Sequence, residues 1–114
     1  MNGRAAEKLA AIYLRMHGYR ILDTNFHSRF GEIDIIAKIF KTIVFVEVKA
    51  RGENALAAPS YAVDEIKQKK ILKTAQLYVY YKKLDGMDMR FDVIQITKNG
   101  MHSKIEHIKN AFEC

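Results

Sequence analysis

The chain has 114 residues, 49% apolar and 28% charged, with six Gly, one Pro and a single Cys at position 114. That length suits one domain spanning 1–114 with a core of its own, and the composition excludes a disordered tail, a collagen, a disulfide scaffold and a Cys-rich zinc module. Nineteen Lys and Arg against thirteen Asp and Glu leave a net charge of +6, a balance that favours a polyanionic partner, nucleic acid ahead of an anionic membrane.

Asn2 to His17 predicts a helix, because Ala5, Leu9, Ile12, Tyr13 and Met16 recur at helical spacing. Arg4, Glu7 and Lys8 break any secretory apolar run there, so a cytoplasmic location is expected. Gly18 follows where a helix C-terminus needs a positive φ. Tyr19 to Asn25 is a short extended run, and His27 to Gly31 is expected to be a loop. Glu32–Lys38 and Ile43–Ala50 then read as two strands around a turn at Phe40–Thr42, an antiparallel hairpin. Arg51 to Pro59 reads as the long loop. Ser60 is the expected cap of a helix running to about Lys83, with Gly86 as its breaker. Arg90–Thr97 and Ser103–Ile108 are the last strands, joined by a turn at Asn99–Gly100. Helix, three strands, helix, two strands predict an α/β fold with a mixed central sheet flanked by helices. No stretch approaches the roughly 18 apolar residues of a membrane helix.

The informative feature is where charge interrupts the strands. In GEIDIIA, Glu32 and Asp34 alternate with isoleucines; in VFVEVKAR, Glu47 and Lys49 alternate with valines. Alternation puts each charged pair on one face of its strand. Pairing of the strands brings Asp34 and Glu47 within about 5 Å. Two bare carboxylates there repel by roughly 3 kcal/mol at an effective dielectric near 20. A hard divalent cation, Mg²⁺ or Mn²⁺, would compensate them. Lys49 could then hold a water or a phosphate oxygen, a set suited to phosphodiester hydrolysis. The competing reading is a solvated outer face of cross-strand ion pairs.

The succession AEKLAAIYLRMHGYRILDTN, GEIDIIA, VFVEVKAR, a lysine-bearing helix, RFDVIQI and HIKNAF resembles the YraN-type family of small uncharacterised bacterial proteins over nearly the whole chain. That family resembles the PD-(D/E)xK restriction-endonuclease-like superfamily, which includes archaeal Holliday-junction resolvases. The resemblance implies an α-β-β-β-α-β-β endonuclease-like fold. It also implies Asp34 as first acid, Glu47 as second, Lys49 as catalytic lysine and Glu7 as a further metal carboxylate. Junction cutters of the superfamily usually pair two active sites, which puts a homodimer among the expectations. Where the family carries a glycine-rich segment after Lys-x-Arg, this chain has LAAPSYA.

Other residues carry two readings each. Glu7 is a metal ligand or an acid complementing the helix dipole. Glu32 is a ligand or a rim residue. Lys67, Lys69, Lys70 and Lys73 contact phosphates or form a solvated helix face. Lys67 and Gln68 also stand nearest to the Gln or Lys that the superfamily often carries on this helix. Arg29 and Arg51 flank the acidic strands as phosphate clamps, since arginine forks onto phosphate. Asp92 pairs with Arg90 or with a helix end. The functional expectation is a Mg²⁺- or Mn²⁺-dependent nuclease acting on DNA, branched or damaged DNA included. The alternatives are a non-catalytic nucleic-acid-binding module of the same fold, or an adaptor whose charged strands form a salt-bridge ladder.

Overall fold

The computed structural model describes residues 3–52 and 64–113. Helix α1 spans Gly3–Met16, followed by strands β1 (Arg20–Ser28), β2 (Gly31–Ile39) and β3 (Thr42–Arg51), helix α2 (Glu65–Tyr81), and strands β4 (Asp88–Asn99) and β5 (His102–Ile108). The strands form one sheet in the order β1-β2-β3-β4-β5. Only β3 and β4 run parallel; the other three pairings are antiparallel. This is the expected element order, an α/β architecture consistent with the restriction-endonuclease-like fold. Neither helix is long and apolar enough to cross a membrane.

Strand alternation divides the core in two. On one face, Ala6, Ala10, Ala11 and Leu14 of α1 pack on Ile35, Ala37, Val44, Val46, Ile94 and Ile96. The alanines let the helix backbone approach the sheet closely. On the other face, Ile71, Ala75 and Tyr78 of α2 pack on Ile33, Ile36, Ile43, Phe45, Phe91, Val93 and Phe112. Strands β3 and β4 are covered on both faces, which is why they read as nearly continuous apolar runs. Truncating Phe45, 2% exposed, to Ala would cost about 3–5 kcal/mol.

Helix α1 ends as its sequence predicts. Gly18 sits at φ +88°, the Tyr19 N–H donates to the Leu14 carbonyl at 2.9 Å and the Gly18 N–H to that of Arg15 at 3.2 Å. These are the two bonds of a Schellman cap.

Four boundaries differ from expectation. Residues 27–31 are not a loop: β1 runs on to Ser28, pairing His27 with Glu32 and Ser28 with Gly31 across a two-residue turn. Ser28 Oγ accepts the Phe30 N–H at 3.1 Å, a hydroxyl turn that alternation alone does not reveal. The cap of α2 is Asp64, whose carboxylate accepts the Lys67 N–H at 2.8 Å. Ser60, the segment LAAPSYA and most of the expected 51–59 loop lie outside the described residues. Strand β4 starts at Asp88, whose N–H bonds the Lys41 carbonyl. The last turn is Gly100–Met101, because Asn99 pairs with His102. Gly100 takes φ +63° at the first turn position, the placement of a type II′ turn.

Candidate functional site

The site lies where β2 and β3 part. Their pairing runs from Ile39–Thr42 to Ile35–Val46. One residue further the Asp34 carboxylate, not a backbone carbonyl, takes the Val48 N–H, at 2.8 Å to Oδ2. Asp34 thus holds the ends of the strands open in a notch.

Burial is the main force on Asp34. Together with the neighbouring charge of Glu47, it pushes the carboxyl up to about 7, against an opposing pull from the Val48 N–H and with a smaller push from Glu7. Glu7 of α1 and Glu47 of β3 therefore both act on Asp34 of β2. Glu7 lies on the buried edge of α1, with Ala11 and Leu14 at i+4 and i+7. The Asn25 amide, its nitrogen turned to the carboxylate, donates to Glu7 Oε1 and Oε2 at 3.1 and 3.2 Å. The helix-dipole reading of Glu7 does not hold, since α1 starts at Gly3 and has no acid in its first turn.

Glu47 is answered by α2. Its side chain is 12% exposed, and Lys67 Nζ donates to its Oε1. Burial alone would lower the Lys67 pKa, but the bond and charge of Glu47 outweigh it and hold the ammonium above its usual range. The charge of Asp34 adds to this. Lys67 is therefore a counter-ion to the notch in the protein by itself. Asp64 anchors the first turn of α2 beside it.

Lys49 follows Glu47 by two residues on β3, so both point to the α2 face. In the parallel register its neighbour on β4 is Gln95. Gln95 is 1% exposed, and among the described residues neither its Oε1 nor its Nε2 has a hydrogen-bond partner. A buried amide without partners costs about 1–3 kcal/mol. Such a group beside Lys49 suits a polar ligand or a water at the notch.

Glu32 does not join Asp34. It pairs across the edge with His27, Nδ1 to Oε2 3.1 Å, and both are more than half exposed. Arg29 is exposed in the β1–β2 turn, and Arg51 ends β3 on the same alternation as Glu47 and Lys49. Asp92 is 0% exposed and organises a second cluster. It accepts two bonds from Arg90 (2.9 and 2.8 Å), one from the Asn110 N–H (2.9 Å), and lies 2.7 Å from His107 Nε2. The other ring nitrogen of His107 meets the Tyr13 hydroxyl at 3.1 Å. Burial would raise the Asp92 pKa, but the bonds from His107, Arg90 and Asn110 prevail and lower it. This cluster ties α1 to the ends of β4 and β5.

Among the described residues, no group of three or more His, Cys, Asp or Glu closes into a ready-made metal cage. The donor set still fits Mg²⁺ or Mn²⁺, because Mg²⁺ is usually held by one or two carboxylates with waters and substrate phosphates completing its shell. Asp34 and Glu47 supply two hard oxygen donors. The upward push on Asp34 comes first from burial and then from the charge of Glu47, and a dication would oppose both.

The family model described as "Uncharacterised protein family UPF0102" matches residues 6–96. A UPF0102 protein of Persephonella marina is 48% identical over 113 residues, covering 99% of this chain and 94% of that protein. One from Syntrophus aciditrophicus is 47% identical over 112 residues, covering 98% and 88%. One from Geobacter metallireducens is 48% identical over 111 residues, covering 97% and 91%.

Proposed function

We propose that this chain, which belongs to the uncharacterised protein family UPF0102, is a metal-dependent nuclease hydrolysing phosphodiester bonds in DNA. The observation that carries the reading is the half-buried Asp34 carboxyl where β2 and β3 part, bonded to the Val48 N–H and pushed up to about 7 by partial burial and by Glu47 beside it. Carboxylates confined in this way, two residues from a lysine on the same strand face, suit a dication and a phosphate. Asp34 and Glu47 would hold Mg²⁺ or Mn²⁺, with Glu7 steering Asp34 from α1. The metal, when bound, supplies Lewis-acid polarisation of a phosphoryl oxygen and a more acidic water.

The chain's own residues do the rest. Lys49 orients the attacking water and stabilises charge that develops on the phosphate. Lys67, which donates to Glu47, would be placed to donate to a phosphate oxygen at the same notch. Gln95 offers a donor and an acceptor beside Lys49. Arg29 and Arg51 bind flanking phosphates. Branched or damaged DNA is the proposed substrate class, the protein acts in the cytoplasm, and a homodimer would pair two sites.

One observation favours a non-catalytic binding module: the Lys67–Glu47 pair already supplies a counter-charge without metal. A labelled panel of single-stranded, duplex, flap and four-way-junction DNA separates the two readings. Cleavage in Mn²⁺ that disappears in folded Glu47→Gln supports the nuclease. Salt-sensitive binding by both proteins with no cleavage by either supports the module.

A further inference from the structure

We infer that Arg29, Phe30 and Lys73 form a phosphate clamp for one nucleic-acid strand, joined to the carboxylate notch through Lys70 and Lys67. The inference rests on the nucleic-acid reading above and adds a path for the strand.

The clamp is built on rigid parts. The β1–β2 turn lies on the middle of α2: Ser28 Oγ meets Thr74 Oγ1 at 2.8 Å, and a Cβ at Gly31 would stand 3.5 Å from that of Lys70. The Phe30 ring then gathers two cations. Arg29 Cζ lies 4.9 Å and Lys73 Nζ 5.1 Å from its centroid. Both charges are exposed, and neither forms an ion pair with a carboxylate among the described residues. Like charges held by one ring repel each other, and a cation–π contact at an exposed site offsets this only weakly. An anion that contacts both charges offsets the repulsion. Arg29 presents a planar fork to phosphate, and Lys73 a point charge.

The position of the clamp selects a polymer over a single phosphate. Lys67 stands at the notch, Lys70 one turn on, and Lys73 at the clamp. Six residues of helix advance about 9 Å, the axial length of roughly two to three nucleotides of one strand. A backbone entering at the clamp therefore meets a cation at each step before reaching Asp34 and Glu47.

Binding of fluorescent single-stranded and duplex DNA in EDTA, across a KCl series, tests this without cleavage. The double variant Arg29→Ala, Lys73→Ala should flatten the slope of log affinity against log salt by about 1.4 on single strand and about 1.8 on duplex. The control Lys41→Ala, Lys98→Ala removes the same charge elsewhere and should leave the slope nearly intact. Phe30→Leu keeps both cations but loses the ring that gathers them, and should weaken binding on its own. An unchanged slope in the clamp variant, or equal loss in the control, overturns the clamp. If the native protein still cuts DNA in the parallel assay, only the clamp has failed. A native protein that neither binds nor cuts overturns the reading beneath it as well.

Discussion

The Asp34 carboxylate accepts the Val48 N–H at 2.8 Å where the β2–β3 ladder stops. A side chain has taken over a bond that a backbone carbonyl would otherwise make. The strands open there, and the opening gives Glu47 and Lys49 room to face a ligand. The same bond is too weak to keep Asp34 in the normal carboxylate range against burial and Glu47.

That imbalance predicts a pH signature. The folded-state pKa of Asp34 is raised from 3.8 to about 7, so the folded protein holds this proton more tightly than the unfolded chain does. Its contribution is most favourable below about pH 4, declines as pH rises, and is fully lost above about 7. Asp34→Asn keeps an oxygen for Val48 and removes the charge. It should raise Tm at pH 8, by about 4 °C or more per kcal/mol relieved, and have little effect at pH 4.5. Thermal unfolding at the two pH values checks this; equal shifts at both contradict it.

Asp92 has the opposite sign. Its pKa is lowered, so its stabilisation is present above the unfolded carboxylate value and is lost as pH falls through the folded one. Asp92→Asn leaves Arg90 without its charge partner and should cost about 3–5 kcal/mol at pH 7. Urea unfolding should show this difference shrinking below pH 4. A loss under 1 kcal/mol at pH 7 contradicts the assignment.

The layout of strands and helices was legible because β-branched runs, Gly18 and Gly100 are local signals. Asp34, Glu47 and Lys49 stood out as charges that break apolar alternation. The partners of those residues were not legible. Lys67 reaches Glu47 only because Ile71, Ala75 and Tyr78 fix how α2 lies on the sheet, a packing outcome with no local mark. Asn25 reaches Glu7 from a residue at φ +51°, a backbone state that the run ILDTN does not announce. The pairing of Asp92 with Arg90 could be anticipated from RFD, but its contact with His107, fifteen residues away, could not.

Gln95 is the residue that sequence gave least reason to notice. Among the described residues its amide has no partner, so Gln95→Met, close in shape and apolar, should stabilise the protein by about 1 kcal/mol or more. Denaturant midpoints measure it. A destabilisation shows instead that the amide is satisfied by a bound group.

Lys49→Met should lower single-turnover cleavage by about 10²–10³-fold, the usual cost of losing one preorganised charge at a reacting centre. Its Mn²⁺ affinity should fall no lower than that of the native protein. Undiminished turnover removes Lys49 from the chemistry.

The nuclease reading rests on the proposed dication site in the notch between β2 and β3. Calorimetric titration of Mn²⁺ into the native protein, Asp34→Asn and Glu47→Gln decides whether it exists. A binding event is expected in the native protein and is lost in both folded variants. No binding by the native protein, or binding unchanged in Glu47→Gln, contradicts it.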